Sequence, residues 1–202
     1  MQQHDVHGAA VVPVRLKLVV AGGFGAGKTT FVRAVSEIPP LSTEELLTEA
    51  SSSVDSLSGV RLKKTTTVAM DFGRITFPAP DNVQLLLFGT PGQDRFHVVW
   101  EDLASGALGA VVLVDTRRLE DSFTTVGFFE QKRLPFVVAV NEFDTAPHRY
   151  KPEEVRNALD LPTEIPVLLC DARASHSCAD VLITLTTYAL SMITQPVLGA
   201  SR

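Results

Sequence analysis

Residues Gly22–Thr29 have the sequence GGFGAGKT, which determines the fold that the rest of the chain is expected to adopt. It matches the phosphate-binding pattern G-x-x-x-x-G-K-[ST] at every fixed position. The apolar, β-branched segment before it, Val14–Ala21, predicts a strand, and the residues from Lys28 onward predict a helix. Glycines let backbone N–H groups turn inward around an anion, and the helix N-terminus adds the positive end of its dipole. The stretch therefore predicts a loop that binds nucleotide phosphate, rather than a ligand-free turn.

Two side chains of this loop have predicted roles of their own. Lys28 is expected to neutralise the β and γ phosphates, and the hydroxyl of Thr29 is expected to bind Mg²⁺. Together with Thr30, the loop supplies most of the predicted nucleotide-binding residues, namely Gly22, Gly23, Gly25, Ala26, Gly27, Lys28 and Thr29.

The composition of the chain is typical of a globular domain and excludes several classes of function. Its 202 residues suffice for one α/β domain with a full core. A net charge of −5 offers no general attraction to nucleic acid or to anionic lipid. The two cysteines, Cys170 and Cys178, indicate a reducing compartment. We find no signal peptide, no apolar stretch of transmembrane length and no prenylation box. We therefore expect a cytoplasmic protein without direct membrane insertion, recruited to the inner face of the membrane only through partners.

The order of hydrophobic patterns predicts the architecture. Strands are expected at 67–77 and 83–88, joined by a hairpin turn, and then at 107–114, 136–140 and 167–170. Helices are expected at 119–132, 153–159 and 178–193, and the first helix should end near Glu37 because two prolines follow. Residues 41–66 predict a flexible loop with a short helical turn at 44–47. We predict one α/β domain over 13–195, with disordered tails at 1–12 and 196–202. Helices should cover both faces of a mostly parallel sheet with one antiparallel strand, in a three-layer sandwich.

Four further stretches stand in the order and spacing of a known family: Thr67–Phe72, Gly89–Gln93, Asn141–Asp144 and Cys170–Arg173. With them the chain resembles the Ras-like small GTPases over roughly residues 14–193, a family with the P-loop NTPase fold. The resemblance implies that GTP or GDP binds with Mg²⁺, and that GTP is hydrolysed to GDP and phosphate.

The resemblance implies roles for two switch regions. Thr67, with Thr66 as the alternative, would complete the Mg²⁺ shell and sense the γ-phosphate. Gly92 would contact the γ-phosphate, and Gln93 would orient the attacking water. Gly89 departs from the family, which has an aspartate there. Asp71 is the nearest carboxylate that could replace it as a metal ligand, the alternative being a charge that faces solvent.

The resemblance also implies a guanine site. Asp144 would accept hydrogen bonds from guanine N1–H and the 2-amino group, a donor pair that adenine lacks, and Asn141 completes the motif. Ala172 would meet guanine O6 through its N–H. Glu142 departs from the family's lysine, and Phe24 fills a loop position where many relatives have glycine.

Within the superfamily, the segments 65–73 and 88–96 are most similar to a bacterial branch. It comprises the GTPases of actinobacterial conserved operons and the gliding-polarity GTPases of myxobacteria. This likeness implies a roadblock/LC7-type partner and a sensor kinase complex.

The sequence thus predicts a guanine-nucleotide switch with slow GTP hydrolysis, in which Gln93, Lys28 and Thr67 act in catalysis. Slow turnover is expected because the position before Thr67 lacks an arginine, while Arg61, Lys63 and Lys64 lie in the long loop. Two alternatives stay open. One is a nucleotide-loaded interaction module with negligible hydrolysis, which Gly89 and Glu142 favour. The other is a P-loop ATPase or small-molecule kinase.

Overall fold

The structure, a computed structural model, describes residues 12–39, 41–48, 65–92 and 97–194. For residues 41–48, 65–69 and 97 it describes the backbone alone. The predicted tails, at 1–12 and 196–202, lie outside this part of the chain except for residue 12, and so do residues 49–64 of the predicted loop, with Arg61, Lys63 and Lys64, and Gln93.

The described residues form seven strands and five α-helices. The strands are β1 (Val14–Ala21), β2 (Leu41–Thr48), β3 (Thr65–Phe77), β4 (Val83–Gly89), β5 (Gly109–Val114), β6 (Phe136–Asn141) and β7 (Val167–Cys170). The helices are α1 (Lys28–Val35), α2 (His97–Ala104), α3 (Asp121–Lys132), α4 (Pro152–Ala158) and α5 (Ser175–Thr194). A short 3-10 turn, Thr116–Arg118, precedes α3.

The strands form one sheet in the order β2-β3-β4-β1-β5-β6-β7. Strand β3 is antiparallel to both of its neighbours, and the pairs β1–β4, β1–β5, β5–β6 and β6–β7 are parallel. Strands β3 and β4 form the predicted hairpin, in which the N–H of Asn82 donates to the carbonyl of Pro78 at 3.2 Å. The mostly parallel sheet with one antiparallel strand is confirmed.

Helices cover both faces of the sheet because the central strands are apolar on both sides. Alternate residues of β1 divide between two cores: Leu18 and Val20 pack with Phe31 of α1 and Leu185 of α5. Val19 and Ala21 pack on the other face with residues of α2, α3 and α4, among them Trp100, Phe129 and Val155. This arrangement is the predicted three-layer sandwich.

The structure corrects one predicted element. Residues 44–47 were expected to form a helical turn, but they lie in β2, which pairs with β3 from Leu41 opposite Phe72 to Thr48 opposite Thr65. The segment LSTEELLT has good helix formers at its centre, so the pairing with β3 overrides the local preference.

Helix α5 differs from expectation in another respect. Its 20 residues have a mean hydropathy of 1.3, so by length and composition alone it could cross a membrane, contrary to the sequence analysis. Val181, Leu182 and Leu185 are buried against the sheet, as in a core helix.

The topology brings the carboxyl ends of β1, β5, β6 and β7 to one edge of the sheet, beside the start of α1. Parallel α/β sheets bind ligands at this edge. The loops that follow β1, β6 and β7 contain the phosphate-loop, Asn141–Asp144 and Ala172 motifs, so the predicted site is assembled here.

Candidate functional site

The loop between β1 and α1 has a backbone that only glycine tolerates at three positions. Gly22, Gly25 and Gly27 have φ values of 142°, 76° and 105°. A Cβ atom at Gly22 would lie 2.3 Å from the carbonyl oxygen of Leu113, and one at Gly27 would lie 2.5 Å from Nδ2 of Asn141. The conformation expected of a phosphate-binding loop is thus held between β5 and the loop after β6.

Lys28 fills the centre of this loop. It is 8% exposed, and its Nζ donates to the carbonyl oxygens of Gly22 at 2.8 Å and Gly23 at 2.7 Å. Burial lowers the pKa of Lys28 to about 8, and the negative charge of Asp71 partly opposes that shift. Holding a charged amine here costs about 3 kcal/mol of folding stability below pH 8, a cost that disappears as the pH rises from about 8 toward 10.5.

Asp71 lies beside Gly89, the position at which the resemblance implies an aspartate. It is opposite Gly89 in the β3–β4 register, and a Cβ atom at Gly89 would lie 3.2 Å from Asp71 Oδ2. The hydroxyl of Thr29 donates to the same Oδ2 atom at 2.6 Å. A carboxylate and a hydroxyl therefore meet at the N-terminus of α1, where Thr30 is also exposed.

The predicted switch residues are only partly described. Gly92 lies against the phosphate loop, since a Cβ atom there would be 2.7 Å from Lys28 Nζ and 3.0 Å from the backbone nitrogen of Phe24. Trp100 holds the preceding residue, donating from Nε1 to the carbonyl of Pro91 at 3.1 Å. The backbone of Thr67 lies in β3, opposite Leu46 of β2. Thr67 and Gln93 therefore keep their predicted roles as predictions.

The side chain of Asn141 joins three loops. It is 6% exposed, its Nδ2 donates to the carbonyl of Ala26 at 3.0 Å, and its Oδ1 accepts from the N–H of Ala172 at 3.1 Å. The loops after β1, β6 and β7 are thereby fixed to one another. The N–H of Ala172, which the resemblance directs to guanine O6, donates to Asn141 in this structure.

Asp144 does not stand free. Its carboxylate accepts from the guanidinium of Arg173 at 2.5 Å and 3.3 Å, and Asp171 holds the other edge of that guanidinium. The hydrogen bonds and charge of Arg173 lower the pKa of Asp144 and of Asp171. All three side chains stay ionised at neutral pH at the exposed mouth of the site.

Sequence reasoning missed the arginines that surround this edge. Arg117 lies 3.8 Å from the ring centre of Phe143 and donates to Thr145 at 2.7 Å, while its Nε and NH2 groups bind the buried carboxylate of Asp115. Arg149 pairs with Glu142 at 2.6 Å. None of these pairs follows a recognisable motif, although the two arginines after β5 were a visible signal.

The phosphate loop also has neighbours that the motif did not indicate. Arg118 donates to the carbonyl of Phe24, whose side chain is 66% exposed. A cavity of about 180 Å³ lies beside the loop, lined by Gly23, Trp100, Asp121 and Thr125 among others. The start of α3 therefore forms one wall of the cavity beside the phosphate loop.

We expect Asn141→Ala to destabilise the protein even without a ligand. The change leaves the buried carbonyl of Ala26 and the N–H of Ala172 without their partner, which should lower the free energy of unfolding by about 2–4 kcal/mol. Urea denaturation measures this loss. The matched control Asn157→Ala, on the exposed face of α4, should change stability by less than about 0.5 kcal/mol. Unaltered stability of the Asn141 variant would show that the loops are not held by this side chain.

Comparison with solved structures bears out the fold. The G domain of the iron transporter FeoB from T. maritima has a TM-score of 0.59 at 17% identity, covering 87% of this chain and 99% of that one. At this identity the likeness concerns the fold alone, and it confirms the predicted P-loop NTPase fold.

Sequence comparison finds two further matches. An uncharacterized protein of Methanocaldococcus jannaschii is 27% identical over 131 residues, which are 64% of this chain and 71% of that protein. Residues 20–192 match the family described as "Conserved hypothetical ATP binding protein", from β1 to the end of α5. Because this match spans most of the chain, the protein belongs to that family of conserved hypothetical ATP binding proteins.

Proposed function

We propose that this protein binds a guanine nucleotide and acts as a molecular switch that hydrolyses GTP slowly. The observation that carries the proposal is the position of Asn141, which bonds to both the phosphate loop and Ala172. One side chain thereby sets the phosphate-binding end of the site relative to the loops that carry Asp144 and Ala172.

The choice of base rests on Asp144. A carboxylate accepts from the N1–H and 2-amino donors of guanine, whereas adenine offers no donor pair and would leave it unpaired. The family description names ATP, and one observation favours that second candidate: Arg173 already satisfies both oxygens of Asp144. An adenine nucleotide would then leave no bare carboxylate behind.

The loop fits a phosphate chain. Its three left-handed glycines leave the backbone without side chains that would fill the cradle, and Lys28 supplies a buried amine beside it. In this structure that amine is held by two carbonyl oxygens, which are weaker partners than phosphate oxygens. We infer that Lys28 leaves Gly22 and Gly23 when it pairs with the β and γ phosphates.

The donor set beside the loop fits Mg²⁺, which prefers oxygen ligands. Thr29 Oγ1 and Asp71 Oδ2 would hold the ion, and Thr67 is the third proposed ligand. When bound, Mg²⁺ supplies positive charge that offsets the charge of the phosphates. Asp71 comes from the strand beside Gly89, so the carboxylate of the family's motif would be replaced from a neighbouring position.

Slow hydrolysis is expected because Phe24 stands on the phosphate loop with an exposed side chain. By the resemblance, this position borders the space in which Gln93 and an arginine from a partner would act. An arginine supplied in trans raises GTPase rates by about 10³–10⁵. The exposed Phe24 side chain also favours the alternative of a nucleotide-loaded interaction module with negligible hydrolysis.

The wider role in this proposal rests on resemblance alone. The likeness to the bacterial branch of small GTPases supports a roadblock/LC7-type regulatory partner and a sensor kinase complex. The protein would then be cytoplasmic and recruited to the inner face of the membrane through those partners.

The base preference can be measured directly. Wild-type protein should bind fluorescently labelled GDP more tightly than labelled ADP, and Asp144→Ala should weaken GDP binding by about 10–100-fold, because hydrogen bonds to a charged group are lost. ADP binding should change little. Equal effects on both nucleotides, or none on either, would refute guanine recognition by Asp144.

The role of Asp71 can be tested by exchanging two positions. Asp71→Ala should abolish most of the slowing of GDP release by Mg²⁺, because the carboxylate ligand is lost. Adding Gly89→Asp to that variant should restore it in part, since the new carboxylate occupies the same space. The dissociation rate of labelled GDP is measured with Mg²⁺ and with EDTA. Asp81→Ala, in the hairpin turn, is the control; failure of the double variant to recover would contradict the replacement.

Lys28 makes binding depend on pH. Its pKa of about 8 in the free protein should rise beside phosphate oxygens, so GDP binding should take up a proton between those two pKa values. At pH 8.5 we expect an uptake of more than about half a proton, and at pH 7 none from this lysine. Isothermal titration calorimetry in two buffers of different ionisation enthalpy measures the uptake. A value of zero at pH 8.5 would mean that Lys28 is already charged in the free protein.

A further inference from the structure

The guanidinium of Arg173 lies between two carboxylates at the base end of the site. Its NH1 group is 2.5 Å from Asp144 Oδ2 and its NH2 group 3.3 Å from Asp144 Oδ1. On the other edge, Nε and NH2 are each 2.9 Å from an oxygen of Asp171. Asp171 thus anchors the arginine independently of Asp144. The hydrogen bonds from Arg173 to Asp144 can therefore break while the guanidinium stays paired with Asp171.

The backbone donors of the loop after β7 are already used. The N–H of Asp171 donates to Ser177 at 3.0 Å and that of Ala172 to Asn141 at 3.1 Å. The N–H groups of Arg173 and Ala174 donate to Asp171, at 2.9 Å and 3.0 Å. A base oxygen that reaches this loop therefore meets four engaged N–H groups, with a guanidinium beside them.

The hydrogen-bonding edge of guanine carries donors and an acceptor in an order that complements the carboxylate of Asp144 and the guanidinium of Arg173. It presents donors at N1 and at the 2-amino group, and next to them an acceptor at O6. Guanine O6 is an acceptor that arginine and lysine side chains commonly bind in the major groove of DNA. A carboxylate and a guanidinium side by side are complementary to the whole edge.

We propose that Arg173 is a specificity-determining residue that donates to guanine O6 while Asp144 accepts from N1–H and the 2-amino group. The inference rests on the proposed guanine site. In the free protein the two side chains bind each other. When guanine binds, this ion pair is replaced by hydrogen bonds from Arg173 to O6 and from the base donors to Asp144. Asp171 keeps Arg173 beside the base throughout.

The same pair offers adenine no favourable contact, although it leaves no bare carboxylate when adenine binds. Its 6-amino group would face the cation and its N1 acceptor would face the carboxylate, so both contacts carry the wrong polarity. The ion pair between Arg173 and Asp144 then stays closed. Selectivity therefore comes from two side chains of opposite charge, where the family's motif uses a carboxylate and a backbone N–H.

The test combines one protein change with one atom of the ligand. Arg173→Met keeps the length of the side chain and removes its donors, and 6-thio-GDP replaces O6 by sulfur, a weak acceptor. Dissociation constants are measured for GDP, 6-thio-GDP and ADP with the wild type and the variant. Arg74→Met is the matched control, because it removes an arginine that also pairs with a carboxylate, Glu37, but lies on β3, at the other side of the sheet from β7. Arg173→Lys tests partial rescue.

We expect Arg173→Met to weaken GDP binding by about 10–100-fold and ADP binding by less than about 3-fold. Wild-type protein should prefer GDP over 6-thio-GDP by about tenfold, and the variant should lose most of that preference. An unchanged preference for GDP over 6-thio-GDP overturns the proposal. Tighter GDP binding by the variant also overturns it, since Arg173 would then only compete for Asp144.

The outcomes separate this inference from the proposed function. If Asp144→Ala weakens GDP binding while Arg173→Met leaves the sulfur effect unchanged, guanine recognition stands and the role of Arg173 falls. If Asp144→Ala has no effect on either nucleotide, both proposals fall.

Discussion

The two hydrogen bonds of the Asn141 side chain hold together the edge of the sheet at which the phosphate loop, Asp144 and Ala172 lie. Strands β1, β6 and β7 end there because they are parallel, but parallel strands alone do not fix the loops that follow them. Asn141 does so by bonding two backbone groups, the carbonyl of Ala26 and the N–H of Ala172. Since both partners belong to the main chain, side chains around them can change while the loop positions remain. That property explains how the loop after β7 can carry Asp171 and Arg173 and still keep its place.

Much of the fold could be predicted because its central strands are buried on both faces. Residues 109–114 and 136–141 are continuous apolar runs ended by polar residues, and such runs have few alternatives in an α/β chain. Strand β2 could not be predicted in this way. Its sequence favours a helix locally, and only the partner strand β3, which lies beyond a long connection, makes it extended. This edge strand depends on pairing rather than on its own pattern, whereas the other edge strand, β7, has an apolar run of its own and was predicted.

The site likewise contains residues that a local pattern predicts and contacts that depend on distant parts of the chain. The phosphate loop, Asn141 and Asp144 belong to motifs of consecutive residues, and the structure brings them to one edge of the sheet. The contacts that modify the site join residues far apart in sequence: Thr29 with Asp71, Arg117 with Thr145 and Arg173 with Asp144 are separated by 42, 28 and 29 residues. No local pattern encodes such pairs. Asp71 was a candidate metal ligand only because the strand that contains it was expected to lie next to the strand that ends at Gly89.

These distant pairs affect how the departures from the motifs of the Ras-like small GTPases should be interpreted. Gly89 lacks the carboxylate, and the carboxylate of Asp71 lies beside it. Glu142 replaces a lysine, and Arg149 brings a cation to it. The N–H of Ala172 is engaged, and the guanidinium of Arg173 lies next to it. In each case a chemical group missing at one position is present at an adjacent one, so the charge and donor content of the site change less than the motifs suggest. Effects of residues in contact are not additive, and a single substitution at one member of such a pair measures the coupling as well as the residue. The departures therefore argue for a rearranged nucleotide site more strongly than for a degenerate one.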